Sequence, residues 1–346
     1  MTPLISSPAT VWQGLAALRC LARCEQTPDS ASFDFALPTG LRAEFRPGQF
    51  ISLGPVIEGK AQFRAYSIAS SPGQAQTLTL GIKRVEDGLV SNWLFDTLQA
   101  GMSVDALAPA GEFCLDMAAL PDALLLLSAG SGITPMLSMA RAVLESGCDA
   151  AVHFVHSARS EDDLMFAAEL QALAAQYPTF RLELFLSRPT GRLSCHAGRL
   201  DADRLGALLP RAARVQVYMC GQEGYMDMAM AALLTAGLQA AAIHRESFAA
   251  SSSVVAADAR RYRLSVPAFG RQATIAAGES LLDALEREGL PIIGACRTGV
   301  CGSCKCRVVD GEVESSSQLP LTAQEIGAGY VLACSSHASG DLTLVL

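Results

Sequence analysis

Four cysteines carry the most specific chemistry in the chain. Cys296, Cys301, Cys304 and Cys334 follow the spacing C-x4-C-x2-C, then twenty-nine residues, then C. Thiolates so spaced hold a [2Fe–2S] cluster of the plant type, with a potential of roughly −400 mV, which carries one electron at a time. Three of the ligands share one short loop, and Gly299 and Gly302 give it the backbone freedom to wrap a compact cluster. The fourth closes the cage from another element. Cys306 lies two residues beyond Cys304 and would face the same side of a strand, so a ligand swap is conceivable; the spacing favours Cys304.

Three further stretches suit a flat ring system and phosphates. Arg64-Ala65-Tyr66-Ser67 puts a cation and an aromatic ring on one face of a strand, with Ser67 on the other. Such a pair stacks on a ring and holds a phosphate, although an ordinary barrel strand reads the same way. Gly88-Leu89-Val90-Ser91 looks like a turn feeding a helix N-terminus, whose free amides accept a diphosphate; alone, it is equally a plain helix cap. Gly130-Ser131-Gly132-Ile133-Thr134-Pro135 lies between a strand and a helix, where a nucleotide phosphate sits. The third glycine of the dinucleotide fingerprint is missing. So is the acid expected about twenty residues on, where Ser157-Ala158-Arg159 stands instead. Cys220-Gly221-Gln222 and Glu246-Ser247-Phe248 end later strands, again at a ligand-binding edge; Cys220 by itself reads as a buried, inert cysteine.

The elements that must position these residues change along the chain. From Trp12 to Leu115 the pattern is short and strand-like with Pro/Gly punctuation, as in Phe45–Leu53 and Thr77–Lys83, which points to a small antiparallel barrel. From Pro121 to Phe248 strands alternate with helices. Strands are expected at Ala123–Ser128, Ala151–Ser157, Leu182–Ser187, Val215–Cys220 and Ala240–Arg245, with helices at Pro135–Glu145 and Glu161–Ala175. That order predicts a parallel sheet covered on both faces. Ala249 to Asp258 is small, Ser-rich and without periodicity, a linker. Beyond it come a hairpin (Arg261–Pro267 with Arg271–Ala277), a helix from Ser280 to Gly289, a capping box at Thr322–Glu325, and strands at Tyr330–Cys334 and Leu342–Leu346. These predict a small mixed sheet gripping a helix. The expected organisation is therefore a barrel domain over 1–118, an α/β domain over 119–248, a linker over 249–258 and a cluster domain over 259–346.

Composition narrows the function classes. The 346 residues are half hydrophobic with a formal net charge of −8, which argues against disorder and gives no support for nucleic-acid binding. Met1 to Thr10 lacks the basic start and apolar run of a signal peptide, and no apolar run approaches a membrane span. With eleven cysteines and metal-ligand spacing, a reducing cytoplasm is the expected compartment. His153 and His156 fall on opposite faces of one strand and cannot share an ion. Met226, Met228 and Met230 read as core filler, and Cys20, Cys24, Cys114, Cys148 and Cys195 as structural.

Taken in order, these motifs resemble the ferredoxin–NADP reductase superfamily, in the branch with a C-terminal plant-type ferredoxin domain. Arg64–Ser67 is similar to its flavin motif R-x-Y-[ST], Gly88–Ser91 to its diphosphate motif, and Gly130–Pro135 to its nicotinamide-nucleotide loop. Cys220-Gly221-Gln222 is similar to its C-G-P motif, with Gln222 in place of Pro, and Glu246 with Phe248 to the acid and aromatic that border the flavin. The resemblance implies a multidomain fold: an antiparallel β-barrel for FAD, an α/β parallel-sheet domain for the nucleotide and a β-grasp ferredoxin domain. It implies Ser67, Cys220 and Glu246 at the reacting edge, with Arg64, Ala65, Tyr66, Ser67, Gly88, Leu89, Val90, Ser91, Gly130, Gly132, Thr134, Pro135, Arg159, Cys220, Gly221 and Phe248 around the cofactors. Within that branch the chain is similar to NADH oxidoreductases that serve hybrid cluster protein, and reductases of Rieske-type oxygenases or demethylases share most of the same features.

The implied activity is NADH oxidation with electrons passed through FAD and the [2Fe–2S] cluster to a redox acceptor protein, with hybrid cluster protein the expected acceptor and a Rieske-type oxygenase or demethylase the alternative. A nicotinamide gives two electrons as hydride, the cluster takes one, and a flavin handles both modes. NADH is expected over NADPH: Arg159 and Arg188 follow the second and third strands, but Glu161, Asp162 and Asp163 crowd the same end and would repel a 2′-phosphate. An obligate electron-transfer subunit and a redox-sensing module are the alternatives from other classes.

Overall fold

The structure is a computed structural model that describes residues 9–74, 76–248 and 260–346. The expected linker at 249–258 and the first eight residues lie outside the described residues. The chain divides into two units: 1–51 with 66–248, and 52–65 with 249–346.

Alternation of apolar and polar residues builds the first sheet. In β1 (Leu15–Thr27), β2 (Ser30–Ala36), β3 (Phe50–Gly54), β4 (Arg64–Ser67), β5 (Thr77–Lys83) and β6 (Ser103–Ala110), residues such as Phe33, Phe35, Leu78, Leu80 and Ile82 turn inward and are fully buried. The strand order is β4-β3-β6-β1-β2-β5. Ile68, just after β4, bridges Leu80 of β5, so the two edge strands meet and the expected barrel closes. Helix α1 (Leu89–Thr97) follows β5.

The second sheet is parallel, in the order β10-β9-β8-β7-β11-β12. Its strands are β7 (Ala123–Ala129), β8 (Ala151–Ala158), β9 (Phe180–Leu186), β10 (His196–Ala197), β11 (Val215–Cys220) and β12 (Ile243–Glu246). Helices α2 (Ile133–Glu145), α3 (Ala167–Gln176), α4 (Ala202–Ala207) and α5 (Glu223–Thr235) cover it. Ala123 to Leu127 is apolar at every position because both faces of this central strand are covered. Two expectations need correction. The helix expected over Glu161–Ala175 begins as a single 3₁₀ turn at Glu161–Asp163 and resumes only at Ala167. Between them Phe166 takes a left-handed φ of 57°, and Leu164, Met165 and Phe166 are sunk into the core. The last strand starts at Ile243, because Ala240–Ala242 forms a 3₁₀ turn.

Barrel and parallel sheet are stitched together within the first unit. Ser138 Oγ donates to Ser70 O at 2.8 Å and Arg141 Nη1 to Ala69 O at 2.7 Å; both donors come from α2. Arg141 also pairs with Glu169 of α3. Phe113 packs edge-on against Tyr218 of β11, with ring centroids 5.6 Å apart.

In the second unit β13 (Arg261–Val266) and β14 (Arg271–Ala276) form the expected hairpin, six residues in register. The sheet order is β14-β13-β17-β15-β16, with β15 (Lys305–Asp310), β16 (Tyr330–Leu332) and β17 (Leu342–Val345). Helix α6 (Leu281–Arg287) starts at the Ser280 cap and buries Leu281, Leu282 and Leu285 against this sheet. Each such leucine contributes about 1.5–3 kcal/mol. Thr322 and Glu325 complete a reciprocal capping box at α7 (Ala323–Gly327). The mixed sheet gripping a helix is the fold expected of this part.

Candidate cofactor and cluster sites

Backbone crowding fixes the nucleotide loop. β7 ends at Ala129; Gly130 turns left-handed at φ 56°, and α2 begins at Ile133. A Cβ on Gly132 would lie 2.1 Å from Cys220 O and 2.5 Å from Cys220 C, and one on Gly221 would lie 2.9 Å from Ala129 Cβ. The Gly130–Pro135 and Cys220–Gly221 stretches therefore lie backbone against backbone at the carboxyl edge. This is where the strand order reverses, between β7 and β11, and where an open parallel sheet binds its ligand. Thr134 and Pro135 are buried, and Thr134 Oγ1 donates to Ser131 O at 3.1 Å.

A polar row runs across one face of that edge. Strand register places His156, Ser128, Cys220 and Glu246 side by side on β8, β7, β11 and β12. Ser128 Oγ and His156 Nδ1 are 2.8 Å apart, and burial lowers the His156 pKa to about 4, so the ring is neutral. Burial pushes Glu246 up to about 8. Burial first, and the neighbouring Glu246 second, push the Cys220 thiol well above its usual range. Glu246 Oε2 is buried with no hydrogen-bond partner among the described residues. A buried carboxyl poised near neutrality with an open oxygen fits a group that meets a hydrogen-bonding ring edge. The buried Ser157 and Tyr225 hydroxyls, near each other, also lack a well-formed bond.

Arg64, Ala65 and Tyr66 are half-buried on β4, and Ser67 is buried. Arg64 Nη1 donates to Phe63 O at 2.7 Å. Gly88 is the N-cap of α1, and among the described residues no side chain caps it, which leaves first-turn amides for an anion. Leu89 is exposed, and Val90 and Ser91 are buried. Ser91 Oγ binds the turn itself, accepting from Val85 N at 3.2 Å and donating to Gly88 O at 3.4 Å. Phe248 is exposed, an aromatic face available for packing.

The cluster loop brings the four expected thiols together. Cys296 lies close enough to Cys301 and Cys334, and Cys304 to Cys334, for the thiols of each pair to perturb one another's ionisation. Among the described residues no three His, Cys, Asp or Glu side chains converge on one ion position. Amides point at the sulfurs: Thr298 N to Cys296 Sγ and Cys334 N to Cys304 Sγ, each at 3.5 Å. Ser303 Oγ lies 3.1 Å from Cys301 Sγ. Such bonds tune a cluster's potential. Gly299 needs its positive φ of 76°, and a Cβ there would strike Ser317 at 2.6 Å. Cys306 is buried in the core of the mixed sheet, paired across strands with Val331.

Some participants have no signature in the sequence. Arg297 sits in the cluster loop with a left-handed φ of 58°, clamped to α6 through Glu286 and through Asp283 at 3.2 Å. Its position next to Cys296 was visible, but its partners were not. The Ser128–His156 pair and Arg192, which binds Asp162, belong to the same class, since no motif links residues on neighbouring strands or loops. Arg159 stands where expected, but its guanidinium is engaged by Asp163, with Nε to Oδ1 at 3.0 Å.

Comparison with known proteins agrees with this layout. Residues 19–114 match an oxidoreductase FAD-binding domain, 126–231 an oxidoreductase NAD-binding domain and 268–339 a 2Fe-2S iron-sulfur cluster binding domain. The glycine betaine monooxygenase reductase subunit of Pseudomonas aeruginosa is 32% identical over 350 residues, 96% of this chain and 95% of that protein. The NADH oxidoreductase HCR of Escherichia coli is 35% identical over 300 residues, 87% of this chain and 88% of that one. The solved structure of phthalate dioxygenase reductase has the same fold, with a TM-score of 0.67 and 24% identity, covering 96% of this chain and 98% of that one.

Proposed function

Because the chain belongs to the ferredoxin–NADP reductase superfamily, in the branch with a plant-type ferredoxin domain, and is an NAD(H)-dependent flavin and [2Fe–2S] oxidoreductase, we propose that it oxidises NADH to supply an oxygenase or demethylase component. The observation that supports this is that one chain holds both the neighbouring thiols of Cys296, Cys301, Cys304 and Cys334 and a nucleotide loop built on Gly132 and Cys220. Bound FAD supplies the exchange between hydride and single-electron chemistry.

The residues then have separate tasks. Gly130, Gly132, Thr134 and Pro135 shape the loop for the dinucleotide phosphates; Cys220 and Gly221 wall it. Tyr66 and Ser67 face the flavin from the barrel, with Arg64 and the Gly88–Ser91 turn for its phosphates, while Ala65, Leu89 and Val90 hold those segments in register. Glu246 keeps a proton at its open oxygen at neutral pH, and Phe248 covers the ring. Positioning carries the hydride step without a strong acid or base. The domain limits we assign are 1–118, 119–248 and 259–346, and a reducing cytoplasm suits a chain whose eleven cysteines are unpaired.

Relatives named as reductase subunits of the glycine betaine monooxygenase and of the stachydrine N-demethylase of Rhizobium meliloti support the oxygenase reading. The 35% identity to an NADH oxidoreductase supports a second, with hybrid cluster protein as acceptor. Steady-state reduction of a dye by NADH and by NADPH tests the first half; a specificity constant at least about tenfold higher for NADH is expected. Rates of electron delivery to a Rieske-type oxygenase and to hybrid cluster protein from the same source test the second. No dye reduction by the loaded chain would refute an independent reductase.

A further inference from the structure

We infer that Glu161 determines the preference for a dinucleotide without a 2′-phosphate, by holding with its own carboxylate the backbone amides that would otherwise receive that phosphate. This rests on the NADH reading above.

The sheet places the question at the end of β8. In a sheet whose order reverses between β7 and β11, the adenosine half of the ligand extends toward the second strand, where an acid or an arginine discriminates the ribose. Here β8 runs into Arg159, Ser160 and the Glu161–Asp163 turn. The segment after β9 is zipped alongside: Ser187 N donates to Ala158 O at 3.2 Å and Arg188 N to Arg159 O at 2.7 Å. At its tip three successive amides point at one anion. Thr190 N donates to the two Glu161 oxygens at 3.0 and 2.8 Å, Gly191 N to Oε1 at 3.0 Å and Arg192 N to Oε1 at 3.2 Å. Gly191 is left-handed at φ 85°, as such a concave run of amides requires.

The neighbouring charges are matched in the same way. Arg159 is engaged by Asp163, and Arg192 Nη2 lies 2.5 Å from Asp162 Oδ1. Three amides and two guanidinium groups of the kind a phosphate dianion takes stand at this edge, and each of these five already has an internal carboxylate. Desolvation raises the Glu161 pKa, but the Thr190 and other amide bonds outweigh it and hold it down at about 2, so the carboxylate stays charged. The three acids thus do not simply repel a phosphate. Glu161 occupies its seat.

The test is calorimetric titration of the flavin- and cluster-loaded chain with 5′-AMP and with adenosine 2′,5′-bisphosphate. Glu161→Ala frees the amides, so bisphosphate affinity should rise at least about tenfold while 5′-AMP affinity stays within about twofold. Glu161→Gln removes the charge but keeps an acceptor, so a gain of about threefold is expected. The ratio of NADPH to NADH specificity constants should move in parallel. Unchanged bisphosphate affinity in both variants, with 5′-AMP binding intact, overturns the inference. If Glu161→Ala loses both ligands because the loop has collapsed, Glu161→Gln decides alone. If the unaltered chain neither binds 5′-AMP nor oxidises NADH, the NADH reading fails and takes this inference with it.

Discussion

Gly132→Ala is the sharpest probe of how the nucleotide edge is built. Gly132 has an ordinary helical backbone, φ −63° and ψ −3°, so alanine brings no torsional cost. The whole effect comes from the new methyl, which would lie 2.1 Å from Cys220 O, 2.5 Å from Cys220 C and 3.0 Å from Gly221 N. These are backbone atoms at the end of β11 and of the residue after it and cannot rotate away, so the two loops must part by about 1 Å. Overpacking costs about 1–3 kcal/mol, and a clash against backbone belongs at the upper end. For a unit of this size that lowers the melting temperature by about 6–12 °C. A loop displaced by 1 Å also weakens catalysis, by up to about a hundredfold. Gly130→Ala is the control. Gly130 has a left-handed φ of 56° but open space around its Cβ, so alanine there costs only about 1–2 kcal/mol of torsional strain. Differential scanning calorimetry and NADH-to-dye kinetics on both variants decide it. If Gly130→Ala proves as damaging as Gly132→Ala, or Gly132→Ala melts with the unaltered chain, the close crossing of the two backbones is refuted.

Cys301→Ser should abolish the cluster's visible spectrum and leave NADH reduction of the flavin, whereas Cys306→Ser should leave the spectrum intact; rapid-mixing spectroscopy checks both. Between pH 4.5 and about 8 the folded chain holds a proton on Glu246 that the unfolded chain has released, so this group's contribution is full at low pH and is lost as pH rises through about 8. Glu246→Gln should therefore flatten the fall of melting temperature between pH 5 and 9, and an unchanged slope would contradict the buried carboxyl. Ser128→Ala strands both His156 ring nitrogens and should cost about 1–3 kcal/mol by denaturant titration, with Ser128→Ala combined with His156→Leu costing less than the two separate losses added together.

Local chemistry alone determined a large part of this protein. Cysteine spacing singled out four thiols that the fold places near one another, because three of the four sit on one loop, where sequence distance and spatial distance are nearly the same. The Thr322 capping box and the Ser280 cap were legible for that reason, as were the Arg261 hairpin and the Thr77–Lys83 strand. The barrel and the parallel sheet followed from period-two alternation and from continuous apolar runs, which report how many faces of a strand are covered. Boundaries slipped where the core overrode propensity: Leu164 to Phe166 reads as helix but is pulled inward around a left-handed residue, because burying three large side chains outweighs one turn of helix.

Only the tertiary structure decided what depends on residues far apart in the chain. The acids after β8 read as a repulsive cluster; their meaning changed once the 190–192 segment was seen to give Glu161 three amides and Asp162 an arginine. The need for glycine at 132 comes from a carbonyl eighty-eight residues away at Cys220, and the raised Glu246 carboxyl from burial that no local pattern records. Spacing can specify a ligand set held on one loop, but steric fit, desolvation and charge pairing are properties of neighbours, and the sequence does not say who the neighbours are until the chain has folded.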